Sequence, residues 1–233
     1  MEQILKDGFA RLGLPLTDAA LSRFRTYYEY LSEQNQVMNL TAIEGEADTA
    51  RLHFLDCAAL LTVQDLKGCS VIDVGSGAGF PGLPLKIAQP DMRLTLLDSL
   101  DKRVRFLRET CDRLGFDDVR CVHGRAEDAA ITERGQYDAA VSRAVARLNL
   151  LAELCLPFVK VGGVFLAMKG PGAAEELEEA AHAIKVLGGG EAEILPYNVP
   201  STTNAHNVVR IRKIKETPAK YPRRWAKIQK QPL

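Results

Sequence analysis

Residues 71–82 read Val71-Ile72-Asp73-Val74-Gly75-Ser76-Gly77-Ala78-Gly79-Phe80-Pro81-Gly82. An apolar stretch of strand length ends at Asp73-Val74, and four glycines follow within eight residues. A tight turn from a buried strand into a helix needs positive φ and no side-chain bulk, which glycine supplies. The backbone of such a loop can lie directly against a ligand. These twelve residues predict a strand–loop–helix unit with a binding function at the loop.

Outward from this unit the same alternation repeats. Further apolar runs of strand length stand at 93–98 (RLTLLD), 119–123 (VRCVH), 137–142 (YDAAVS) and 163–169 (GVFLAMK). Helical segments separate them; in the one after 93–98, Val104, Leu107, Cys111 and Leu114 share a face. Strands alternating with helices predict an α/β fold with a parallel sheet covered on both sides. An acidic helix to about Leu187 and two more strands, near 191–197 and 207–214, complete the pattern. The first third is helical, with Thr17 as an N-cap before the stripe Leu21, Phe24, Tyr28 and Leu31, and a further helix at about 46–61. The expected organisation is a helical extension over 1–66, an α/β domain over 67–216 and a basic tail over 217–233.

Composition narrows the class. The 233 residues suffice for one well-buried core, and no apolar run approaches the roughly 20 residues that cross a bilayer. The N-terminus does not read as a signal peptide. Five scattered cysteines without a Cys-x-x-Cys pair suggest neither a zinc site nor a disulfide framework, so no metal is expected and a reducing cytosol is the simplest location. Net charge is zero but unevenly spread. From His206 to Lys230 nine basic residues face the single acid Glu216, just after an acidic stretch containing Glu175, Glu176, Glu178, Glu179, Glu191 and Glu193. A basic terminal segment can neutralise phosphates; it can equally be a solvated, partly frayed tail.

Two patterns overlap in the glycine loop. Residues 77–82 fit Gly-x-Gly-x-x-Gly, the dinucleotide fingerprint. Residues 73–79 fit Asp-x-Gly-x-Gly-x-Gly, which resembles the first motif of S-adenosylmethionine-dependent methyltransferases. The second reading is favoured. Its glycines begin directly at the strand end, and Asp73 is an acceptor suited to an ammonium, directly or through water, whereas a pyrophosphate would be repelled by it. Asp98 ends the second strand, where an acid accepts from ribose hydroxyls in either reading. Ala126-Glu127 follows the third strand, at a position that borders a purine; read alone, Glu127 is a helix-start acid.

Ligands of open α/β sheets sit beyond the carboxyl ends of the strands. Arg143 and Arg147 follow the fourth strand and are expected four apart on the start of a helix, sharing a face, with a phosphate or base edge justifying positive charge there. Lys169 ends the fifth strand and faces the same rim. His53 and Asp56, on the helix before the sheet, receive no role from spacing alone.

The ordered set Asn39-Leu40-Thr41, His53-Phe54-Leu55-Asp56, VIDVGSGAGFPGLPL, LLDSLDKRVRFLRE, Gly124-Arg125-Ala126-Glu127, VSRAVA, AMKG and KYPRR resembles the bacterial ribosomal RNA small subunit methyltransferase G family. That resemblance implies a Rossmann-like methyltransferase sheet, mostly parallel with an antiparallel last strand. It implies an enzyme that methylates N7 of one guanine in 16S ribosomal RNA of the small subunit, with S-adenosylmethionine as donor. By motif position, Gly75, Phe80, Ala126, Glu127 and Arg143 are expected cofactor contacts, joining Asp73, Gly77 and Asp98. Arg143, Arg147, Lys169 and His53 are candidates on the substrate side. Guanine N7 carries a free lone pair, so no catalytic residue is expected and catalysis is positioning. A cytoplasmic monomer is expected. The alternatives are an NAD-dependent oxidoreductase on the same loop, a small-molecule methyltransferase and a non-catalytic RNA-binding protein.

Overall fold

Alternation along the strands divides the core in two. In the strand Ser70–Val74, Val71 packs on one side of the sheet while Ile72 and Val74 pack on the other. Sidedness of period two in a fully buried strand requires a helical layer on each face. The structure, a computed structural model, describes residues 1–200, 202 and 206–233.

The strands are β1 (Ser70–Val74), β2 (Arg93–Asp98), β3 (Arg120–His123), β4 (Tyr137–Arg143), β5 (Val159–Lys169), β6 (Gly189–Tyr197) and β7 (His206–Lys213). They form one sheet in the order β3-β2-β1-β4-β5-β7-β6. β1 to β5 pair in parallel, and β7 inserts antiparallel between β5 and β6, with Leu166 opposite Arg210. The strand order reverses direction between β1 and β4. A crevice opens there at the carboxyl ends, which is where such sheets bind ligands.

The helices are α1 (Glu2–Leu12), α2 (Asp18–Met38), α3 (Glu46–Thr49), α4 (Asp56–Ala59), α5 (Gly82–Ala88), α6 (Asp101–Leu114), α7 (Ala126–Thr132), α8 (Leu148–Cys155), α9 (Ala173–Val186) and α10 (Trp225–Lys230). Thr17 caps α2 as expected, accepting from the Ala20 N–H at 3.1 Å. Phe24, Tyr27 and Phe54 from the N-terminal helices share a continuous core with Leu83 and Phe106 of α5 and α6. The N-terminal region therefore covers one face of the sheet. On the opposite face α7, α8 and α9 share a core with Ile228 of α10. No helix among the described residues is long and apolar enough to cross a membrane.

One local expectation is overturned. Arg143 and Arg147 do not share a helical face. Arg143 is the last residue of β4, Ala144 turns the chain with φ 58°, and the next helix begins only at Leu148 with Arg147 as its N-cap. The strand simply runs one residue further than the apolar pattern indicates, because Arg143 pairs in register with Met168 of β5.

Candidate active site

The glycine loop is held by the two acids that flank it. The Gly77 N–H donates to Asp98 Oδ2 at 2.9 Å, while Asp98 Oδ1 accepts from the Leu100 N–H at 2.9 Å. Asp73 Oδ2 accepts from the Gly82 N–H at 2.8 Å, tying the end of β1 to the start of α5. Asp73 Oδ1 is buried with no partner among the described residues. Burial pushes the Asp73 carboxyl up to about 7, against hydrogen bonding from Gly82. Gly75 has φ 77°, and a Cβ there would lie 2.6 Å from Val145 Cγ2. Only glycine lets the loop close against the turn after β4.

A cavity of about 490 Å³ opens beside this loop, lined by Gly75, Gly77, Phe80, Asp98, Ala126, Glu127 and Arg143 among others. Seven of the eight residues expected to contact a cofactor thus face one space. The eighth, Asp73, is fully buried and stands outside the cavity wall, shaping the turn from within.

Thr41, His53 and Arg143 in the wall of this cavity belong to a buried polar cluster. The Arg143 guanidinium donates to Asp56 Oδ2 at 2.8 Å, to the Leu52 carbonyl at 3.2 Å and to His53 Nδ1 at 2.9 Å. Arginine only donates, so His53 Nδ1 is the acceptor and Nε2 carries the proton, which it gives to Thr41 Oγ1 at 2.7 Å. Burial and the neighbouring Arg143 charge pull the His53 pKa down to about 3. Asp56 Oδ1 accepts from Tyr197 OH at 2.7 Å and lies 3.0 Å from His206 Nδ1. Burial alone would raise the Asp56 pKa, but the bonds from His206, Arg143 and Tyr197 hold it below the usual carboxylate range. Phe80 packs against both partners: its ring stacks on His53 at 4.1 Å, and Arg143 Cζ sits 4.9 Å from its centroid.

Local backbone brings His53 and Asp56 to the same guanidinium. Residues Ala50–Leu55 form a π-helical turn within a continuous helical run from Glu46 to Thr62. Such widened turns frequently mark functional sites. Here the turn offers the Leu52 carbonyl and the His53 ring to the same guanidinium.

A second cavity, of about 700 Å³, lies across the segment from Arg143 to Val145 and is bordered by Asp56, Lys169, Tyr197 and His206. Arg143, Ala144 and Val145 line both cavities. Arg147 and Lys169 border the second one but already hold acidic partners from α9. Arg147 bonds Glu179 at 2.7 Å, and Lys169 lies 2.8 Å from Glu176. The charge asymmetry of the sequence is thus partly closed by the fold. In the C-terminal basic stretch Arg210 pairs with Glu193 and Arg223 with Glu153, and the Lys213 ammonium is buried against the Leu156 and Leu187 carbonyls. Arg212, Lys215, Lys220, Arg224, Lys227 and Lys230 stay exposed, outside every ion pair among the described residues.

Comparison with known families places this architecture. The profile described as "GidB: rRNA small subunit methyltransferase G" matches residues 20–206. The chain belongs to this family. It is 50% identical to the ribosomal RNA small subunit methyltransferase G of Alkaliphilus oremlandii, over 100% of this chain and 99% of that one. It is 44% identical to the protein of the same name from Acetivibrio thermocellus, over 100% and 97%. Among solved structures, the fold is shared with an O-methyltransferase from Bacillus cereus in complex with SAH (TM-score 0.57, 17% identity, covering 81% of this chain and 91% of that one). It is also shared with a SAM-dependent methyltransferase from Aquifex aeolicus (TM-score 0.53, 19% identity, 71% and 93%).

Within this member of the methyltransferase G family, sequence reasoning found the loop and missed the clasp around Arg143. Asp56, Tyr197, His206 and Thr41 were given no part in the site. Asp56 carried only a conditional signal: an acid three residues after a histidine on a helix rich in apolar residues needs a cationic partner once the packing buries it. Tyr197 and His206 carried none, because only the antiparallel return of β7 brings them to Asp56. Trp225, in the C-terminal segment, also lines the first cavity and was not singled out.

Proposed function

We propose that the chain is an S-adenosylmethionine-dependent methyltransferase acting on N7 of a guanine in 16S ribosomal RNA of the small subunit, as a cytoplasmic monomer. Membership of the methyltransferase G family supports the substrate and donor. The residues present fit the donor. The cavity volume falls in the range for small-molecule sites, and its wall offers an acid at the end of β2, open loop backbone at Gly77 and an apolar face at Phe80. A Cβ on Gly77 would meet nothing nearer than the Gly75 carbonyl at 3.9 Å, leaving space where a ligand can approach the backbone. Gly75, Gly77, Phe80, Asp98, Ala126, Glu127 and Arg143 would hold it, with Asp73 keeping the loop in shape.

When bound, S-adenosylmethionine supplies an electrophilic methyl group on its sulfonium. The observation that carries the proposal is that no side chain of the Arg143 clasp is free to take a proton. His53 Nδ1 is tied to Arg143 and its pKa is near 3, while Asp56 is held ionised by three donors. A ring nitrogen that already carries its lone pair is the acceptor that needs no base. The clasp then works by position: it fixes the segment from Arg143 to Val145 that divides the two cavities. The base enters from the second cavity, unstacked from the RNA. The exposed basic residues from Arg212 to Lys230 hold the phosphate backbone. Arg147 and Lys169, with acidic partners at hand, exchange them for phosphate only if RNA competes successfully.

The test is methyl transfer from radiolabelled S-adenosylmethionine to small subunits from a strain lacking the gene. Label in 7-methylguanosine, lost in Asp73→Ala, is expected. Label in another nucleoside would overturn the N7 assignment. No label in RNA despite cofactor binding would overturn the RNA substrate.

A further inference from the structure

Residues 207–233 lie beyond the matched family span, yet one of them, Trp225, lines the first cavity. Resting on the cofactor reading above, we infer that the C-terminal segment completes the cofactor site, with the Trp225 indole forming the wall against which the purine of S-adenosylmethionine stacks.

Three observations carry this. Trp225 lines the cavity together with Arg125, Ala126 and Glu127, which follow β3 and open α7, and with Asp98 and Ser99 at and just after the end of β2. It is therefore part of the nucleoside end of the cavity. The Trp225 backbone N–H donates to Glu127 Oε1 at 3.2 Å, so the segment fixes the acid at that end. The third observation is anchorage. Arg223 clasps the fully buried Glu153 through Nε and Nη2 at 2.8 and 2.6 Å, and the Arg223 backbone N–H donates to the same carboxylate at 2.8 Å. Ile228 is fully buried, and Arg134 donates to the Thr217 carbonyl at 3.1 Å and to the Tyr221 carbonyl. A planar, half-buried indole held this firmly at the edge of a nucleoside cavity offers a π-face to a purine.

Trp225 is the single tryptophan of the chain, so it reports on itself. Calorimetric titration of the full chain with S-adenosylhomocysteine, for wild type, Trp225→Ala and Trp225→Phe, tests the wall directly. Trp225→Ala is expected to weaken binding by about tenfold or more, and Trp225→Phe, which keeps a ring face, by about threefold or less. Saturating S-adenosylhomocysteine is expected to protect the wild-type indole from acrylamide quenching. Should Trp225→Ala fail to fold, the quenching measurement decides alone. Wild-type affinity in Trp225→Ala, or an indole equally quenched with and without ligand, overturns the inference. So does a Trp225→Ala chain that binds S-adenosylhomocysteine normally but has lost affinity for 16S RNA, since the indole would then serve an RNA base. A wild-type chain that does not bind S-adenosylhomocysteine removes the cofactor reading itself, and the inference with it.

Discussion

Arg143 at the end of β4 donates to Asp56 at 2.8 Å across 87 residues of sequence, and both side chains are largely withdrawn from water. Asp56 in turn accepts from Tyr197, so one carboxylate joins the N-terminal helices, the central sheet and its antiparallel edge. A buried pair stripped of one partner leaves an uncompensated charge, with a penalty of about 3–5 kcal/mol. Asp56→Ala is therefore expected to lower the urea-denaturation free energy by about 3–5 kcal/mol. The double variant Asp56→Ala/Arg143→Met should recover part of the loss, because no orphan charge remains. Additive losses in the double variant would show that the two residues act independently.

His53 supplies a pH test. Its pKa near 3 and its occupied Nδ1 leave it neutral and unavailable as a base near neutrality. The pH profile of single-turnover methylation should show no inflection near the ordinary histidine value of about 6.5 that disappears in His53→Gln. An inflection of that kind would assign the proton acceptor that the proposed mechanism excludes.

Asp73 predicts the slope of stability with pH. Its folded pKa of about 7 lies above its unfolded value, so the folded state holds an extra proton between the two. For a raised carboxyl the favourable contribution is complete below about pH 4 and is lost as pH rises through about 7. Asp56, held low, contributes in the opposite sense, with stability lost as pH falls. The difference between wild type and Asp73→Asn isolates the first effect, since both keep Asp56. In urea titrations without ligand, wild type should lose stability relative to Asp73→Asn between pH 4 and 7. Parallel curves across that range would mean that Asp73 is not raised.

Gly75 and Gly77 should respond differently to alanine. Both have positive φ, which strains any L side chain by about 1–2 kcal/mol. Gly75→Ala also drives a methyl group to 2.6 Å from Val145, on the segment that divides the two cavities. Gly77→Ala meets no such contact. Thermal melting should therefore place Gly75→Ala below Gly77→Ala, and equal melting temperatures would contradict the packing described.

The glycine loop, its flanking acids and the βα alternation were legible because each is local. A strand tip followed by spaced glycines has few physical readings, and Asp98 is recognisable from its place at the next strand end. The layered sheet follows from apolar runs separated by amphipathic helices. The reading failed where a residue's surroundings come from distant sequence. Arg147 and Lys169 looked like free rim cations until α9 brought Glu179 and Glu176 beside them. Part of the ambiguity in the basic terminus ends the same way: Arg223 is consumed by a glutamate 70 residues away.

What the sequence by itself determined was the sheet, the loop and the acids that shape it, because strand period, glycine spacing and turn chemistry act over a few residues. Only the tertiary structure decided which charged groups are spent internally and which face a ligand. Asp56 is an unremarked acid on a helix until Arg143, Tyr197 and His206 converge on it from three other elements. A charge buried in a protein is stable only with partners, and partners so far apart in the chain are chosen by the packing of the sheet.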